Sequence, residues 1–144
     1  DPPYADAGEA MVNREDIESF LDRLSNEGAT YREIEPGLWT VNPGGALDLS
    51  VVIHHTPPVL VLRVKVMDTP DDDATSARLN RRLLELNATD LLHGSYGIDD
   101  DTIVLTEALE LSHLDFQEFL AVYESITLAL ASHLRELATI HEAR

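Results

Sequence analysis

Cysteine is absent from this chain, which excludes disulfides, thiolate catalysis and cysteine-based zinc sites. Basic residues are scarce: 10 lysines and arginines stand against 27 aspartates and glutamates, a formal net charge of −17. A field of that sign repels phosphate backbones and anionic membrane surfaces, so neither nucleic acid nor membrane is an expected partner. A basic partner, or an apolar one that must be kept soluble, fits better. No apolar run approaches the roughly 18 residues of a membrane-spanning helix, and the first residues lack the basic and apolar regions of a secretory signal. A reducing compartment suits a chain without cysteine, and the expected location is cytoplasmic.

Reactive constellations are missing as well. The six histidines are His54, His55, His93, His113, His133 and His141, and no two have the helical three- or four-residue spacing of zinc motifs. Asp99-Asp100-Asp101, and Asp68 with Asp71 to Asp73, lack the alternating oxygen ligands, central glycine and closing glutamate of a calcium loop. A hairpin turn and a helix start that complements the macrodipole account for them. Gly44-Gly45 and Gly94 with Gly97 lack a phosphate-loop fingerprint, and no serine sits in a nucleophile elbow. The expectation is a binding module rather than an enzyme, with no catalytic residue, metal or cofactor.

What is present is one domain's worth of chain, 144 residues of which 44% are hydrophobic, enough for a packed core. Residues 1–10 are acidic and without period and are expected to form a disordered leader, leaving residues 11–144 as a single domain. Asn13, with Asp16 three residues on, predicts the cap of a first helix bearing Ile17, Phe20, Leu21 and Leu24 on one face. Thr30 to Ile34 and Leu38 to Val41 read as short strands about Pro36-Gly37. Leu47, Leu49, Val51 and Ile53 alternate as a third strand, and Thr56-Pro57-Pro58 turns the chain. The strongest strand is Val59 to Met67: Leu60, Leu62, Val64 and Val66 face one way, and Val59, Val61, Arg63 and Lys65 the other.

Thr69-Pro70 is expected to open a second helix with core stripe Leu79, Leu83 and Leu86, and a separate apolar patch of Ala77, Leu84 and Ala88. Strands over Leu91 to Ile98 and Thr102 to Leu109 follow. Asp115 and Glu118 have the spacing of a capping box for a last helix that continues to about Ile140. Its seam of Phe119, Tyr123, Ile126, Leu130, His133, Leu137 and Ile140 steps by four and three. Phe116, Leu120, Leu134 and Ala138 widen the apolar arc beyond that of an ordinary surface helix, so two packing partners are expected. His133 on this seam reads as a partly buried histidine. The order α-β-β-β-β-α-β-β-α predicts an α+β fold, an antiparallel sheet packed against helices.

Arg14-Glu15-Asp16-Ile17 through Leu24, Gly37-Leu38-Trp39, Pro58-Val59-Leu60-Val61-Leu62-Arg63-Val64, Leu83-Leu84-Glu85-Leu86-Asn87 and Gly94-Ser95-Tyr96-Gly97 resemble a bacterial YbjN-type domain. The element order is similar to that of type III secretion chaperones of the CesT-like class. This resemblance implies an α+β fold with a strongly twisted antiparallel sheet, and a homodimer with non-enzymatic protein binding, chaperone-like for the secretion class and tied to regulation and stress responses for YbjN-type proteins.

The candidate sites follow. Val59 and Val61 on the mixed sheet face, with Leu128 on the otherwise polar side of the last helix, are expected to hold a protein or peptide client, helped by backbone pairing at an exposed sheet edge. Ala77, Leu84 and Ala88 are the expected dimer contacts. The alternative is a small-ligand-binding regulatory domain in which Trp39 or Tyr96 meets the ligand. Arg63, Lys65, Arg78, Arg81 and Arg82 cluster in sequence, and local pairing such as Arg81 with Glu85 is expected of them.

Overall fold

The structure is a computed structural model that describes residues 11–45 and 48–143. The leader at residues 1–10, the first strand position Leu47, and Arg144 lie outside the described residues. The element order is α1 (Arg14–Ser25), β1 (Thr30–Glu35), β2 (Leu38–Asn42), β3 (Val51–Thr56), β4 (Val59–Asp68), α2 (Asp73–Thr89), β5 (Ser95–Asp99), β6 (Thr102–Glu110) and α3 (Phe116–Glu142). This is the expected α+β order.

Local chemistry sets the boundaries. The Asn13 side chain accepts from the Asp16 N–H while Asp16 returns a bond to the Asn13 N–H, a complete capping box for α1. Asp115 caps α3 by accepting from the Glu118 N–H at 2.8 Å. The second helix starts later than Thr69-Pro70. The Thr69 N–H donates to the Asp101 carbonyl at 2.9 Å, which ties that residue to the hairpin, and Asp72 is the cap, accepting from the Thr75 N–H at 2.9 Å. β5 is likewise shorter than expected: it begins at Ser95, because Gly94 turns the chain with φ +81°. Leu49 is buried but precedes the strand that begins at Val51.

The sheet has six strands in the order β1-β2-β3-β4-β6-β5, every neighbouring pair antiparallel. On its inner face Trp39, Val51, Ile53, Leu60, Leu62, Val64, Ile103 and Leu105 are sealed from solvent. They share one core with Ile17 and Leu21 of α1, Leu79 and Leu86 of α2, and the α3 seam from Phe119 to Leu137. Six of the seven seam residues read from the sequence are buried, and Ile140 is partly so. Phe20 of α1 lies 5.5 Å from Phe119 between ring centroids, and Arg23 sits over the Phe116 ring at 3.7 Å, so an aromatic cluster fastens α1 to the start of α3. At the other end, Arg82 donates from Nε to Glu136 at 2.7 Å, and Arg78 reaches the Ala143 carbonyl at 3.1 Å, joining α2 to α3.

Candidate partner-binding surfaces

The outer face of the sheet carries Val59 and Val61, both half-buried. Antiparallel register puts His54 of β3 and Ala108 of β6 on either side of Val61. Further along β4, Arg63 crosses β6 to ion-pair with Asp99 of β5. Val104, on the β6 strand between them, is only 6% exposed, as expected where a long arginine stem lies across a strand. Lys65 pairs with Asp68 at 3.1 Å and Arg81 with Glu85 at 3.8 Å. Along this face of β4, a mixed half around Val61 gives way to a half where Arg63 and Lys65 are held in charge pairs.

A second surface lies where α2 runs beside β5. Ala77, Leu84 and Ala88 are all exposed and fall on one stripe of α2. Leu84, 67% exposed, forms a groove of about 300 Å³ with Asn80 and the β5 residues Gly97 and Ile98. Ile98 is 52% exposed, and strand alternation alone did not single it out.

The β5 edge of the sheet is not open along its length. The Tyr96 N–H donates to Asn87 Oδ1 at 2.7 Å, and Asn87 Nδ2 donates to the Tyr96 carbonyl at 3.1 Å. Both Tyr96 backbone groups point away from β6 and meet the carboxamide, which takes the place of a neighbouring strand's peptide group. At this position β5 cannot accept a partner strand, because α2 supplies its own side chain; the sheet's other edge is the exposed strand β1. Replacing Asn87 with alanine should cost about 1–3 kcal/mol, since two partly buried backbone groups lose their partners. Amide hydrogen exchange at Tyr96 is the measurement, and an unchanged rate would show that the contact does not protect the edge.

Behind this edge is a buried polar chain. The Tyr96 hydroxyl lies 2.7 Å from His133 Nδ1, and His133 Nε2 bonds the Asp90 carboxylate that ends α2. The geometry fits a phenol donating to Nδ1 and an Nε2–H donating to the carboxylate. Burial first, and the Asp90 charge second, push the Tyr96 hydroxyl well above its usual pKa, so it stays a donor. His133 is buried, more fully than the partly buried histidine expected of its place on the seam. Trp39 is fully buried in the core and has no face to offer a ligand, which removes it from the small-ligand alternative.

The third surface is the outer side of α3. Leu128 is 67% exposed and stands between two grooves. Across one of them lies Leu92, the most exposed large apolar residue of the described chain. The sequence reading placed Leu92 in a strand, where alternation would have given it a face; in the loop before Gly94 it has none. Val59 and Val61 are on the opposite side of the sheet from Leu128, so the three expected client contacts do not form one continuous surface.

Among the described residues, no group of three or more histidine, aspartate or glutamate side chains is placed to hold a metal ion. No helix there is long and apolar enough to cross a membrane.

Comparison with known proteins places this geometry. A search of curated proteins by sequence found no match. Among solved structures, the chain is similar to one in the heterodimeric ExoU–SpcU complex from the type III secretion system of Pseudomonas aeruginosa (15% identity, 88% of this chain and 98% of that one, TM-score 0.61). It is similar also to YbjN from E. coli, a protein put forward as a transcription regulator (13% identity, 88% and 95%, TM-score 0.61). A third likeness is to a chain of the ExsC–ExsE complex (12% identity, 88% and 97%, TM-score 0.54). At these identities the likeness is one of fold. The CesT_Tir_1 family model, however, matches residues 11–143, nearly the whole chain. The chain belongs to the CesT_Tir_1 family, as its resemblance to YbjN-type and CesT-like domains implied.

Proposed function

We propose that this chain is a non-enzymatic, chaperone-like protein-binding module that acts as a homodimer and holds a segment of a partner protein. The observation that carries the reading is the placement of large aliphatic side chains in water: Leu84 with Ile98 on one surface, and Leu128 with Leu92 on another. Paired exposed aliphatics beside grooves mark association surfaces, whereas scattered single ones need no explanation. Family membership supports the same reading, as do neighbours of the same fold solved in complexes with other proteins.

The stripe of Ala77, Leu84 and Ala88 serves the second copy. Small residues either side of one leucine allow two helices to approach closely, and an isologous contact hides the stripe on both copies. Val59 and Val61 on the outer sheet face, and Leu128 on α3, serve the partner. Light scattering should give the mass of two chains at micromolar concentration. Leu84→Glu should weaken the pair by about tenfold or more, because each copy would bury an unpaired carboxylate, with helix content unchanged by circular dichroism. Partner capture from the native cell should fall for Val61→Asp or Leu128→Asp. A wild type that stays a single chain sinks the homodimer, and folded variants that lose no partner sink these surfaces.

A further inference from the structure

Leu128 lies at the junction of two grooves whose walls share a chemistry. The first, about 170 Å³, runs between the end of α1 and α3: Leu24 and Ala29 give it apolar walls, and Glu27 and Glu124 bring carboxylates. The second, about 410 Å³, continues past Leu128 to Leu92; Ala121 and Ala129 keep it shallow, and Glu124 and Asp90 edge it. Glu124 and Leu128 belong to both, so the grooves form one path over α3.

The charge on this path is of one sign, and at Glu27 and Glu124 it is unanswered. No lysine or arginine lines either groove. Among the described residues neither Glu27 nor Glu124 forms an ion pair. Asp90 is bonded to His133, yet its side chain remains 56% exposed. Tyr123 also lines the first groove, and its pKa is pushed up to about 12, by burial and then by Glu124, so it stays neutral and leaves the acidic character intact.

We infer that this path over α3 is the seat of a basic, aliphatic segment of a partner protein. An aliphatic side chain packs against Leu128 on the side of Leu92, and a lysine or arginine enters the groove between Glu27 and Glu124. Its methylene stem covers the Leu24 and Ala29 walls while its cation meets the two carboxylates. A purely apolar segment would leave those carboxylates desolvated without a partner, and an acidic one would be repelled. The inference rests on the proposed protein-binding function and adds the place and the chemistry of the contact.

The probe is a fluorescent peptide of alternating leucine and arginine, with the leucine–glutamate peptide as its opposite. Fluorescence anisotropy of the full chain should show binding of the first and none of the second, weakening as salt is raised. Glu27→Gln with Glu124→Gln should reduce affinity by about tenfold or more, and Leu128→Ser by a similar factor. The control, Glu35→Gln with Asp71→Asn, removes the same charge from other surfaces and should leave affinity within about twofold. Equal losses in the control and the Glu27/Glu124 variant would reduce the effect to net charge and overturn the seat, as would binding that ignores Leu128→Ser. If the native partner is captured equally by wild type and the Glu27/Glu124 variant, protein binding stands and this seat falls. If the wild type captures no partner, the protein-binding function falls with it, and so does the seat's role in that function.

Discussion

Phe119→Ala should lower the free energy of unfolding by about 3–5 kcal/mol, the range for deleting a fully buried aromatic ring. Phe119 has no solvent exposure, and its ring lies 5.5 Å from Phe20, 6.4 Å from Phe116 and 6.1 Å from Tyr123 between centroids. It is the hinge of the cluster that holds α1 on α3, so the cavity would open between two helices. Collapse there would require α1 to shift against β1, to which the Tyr31–Asp22 hydrogen bond of 2.5 Å fastens it. Urea titration followed by circular dichroism measures the loss. A cost below about 1 kcal/mol would mean the cluster closes over the missing ring.

Alkaline pH should unfold the protein more sharply than the usual tyrosine range implies. Burial and the Asp90 charge raise the Tyr96 pKa, and burial with Glu124 raises that of Tyr123 to about 12 from 10.0. The Tyr31 hydroxyl, donating to Asp22, is also pushed up to about 12, but it sits near solvent and contributes less. Above pH 10 the unfolded chain releases these protons while the folded chain retains them. The unfolded state then binds fewer protons, so stability falls as pH rises; below pH 10 the contribution is fully present. Tyr96 and Tyr123 together should remove on the order of 4 kcal/mol by about pH 12. The share of tyrosinate absorbance owed to Tyr31, Tyr96 and Tyr123, three of the four tyrosines, should stay suppressed until the fold gives way and then rise together with the loss of helix signal. Free titration of all three hydroxyls near pH 10 in the folded protein would contradict their placement.

The burial of Phe119 and Tyr123 was legible in the chain, whereas that of Tyr96 was not. The α3 seam is read from its four-and-three steps because a helix of that length must turn one stripe inward, and Phe119, Tyr123 and His133 all lie on it. The alternation of β4 separates Leu60, Leu62 and Val64 from Val59, Val61 and Arg63 for the same kind of reason. Caps were legible where a side chain acts on a backbone group a few residues away, as at Asn13 and Asp115, and less so at Thr69-Pro70, where a distant hairpin carbonyl competes. The surfaces were harder. Leu84 and Leu128 stand out as apolar residues off their helix's core stripe, but Leu92 depends on a strand starting late. The contact of Asn87 with Tyr96 joins a helix side chain to a strand edge, which no periodicity records. The path over α3 draws on residues from Leu24 to Ala129, brought together only by the packing of α1 on α3.

The Asn87 carboxamide has a consequence for selectivity. At Tyr96 the sheet spends its free peptide groups on its own helix, and at the opposite edge β1 carries the charged side chains Arg32, Glu33 and Glu35, which discourage a neighbouring strand. Backbone pairing accepts almost any extended chain, because every residue brings the same amide; side-chain contacts do not. With one rim met from within at Tyr96 and the other lined with charge, a segment held as proposed above would be chosen by its side chains more than by its backbone.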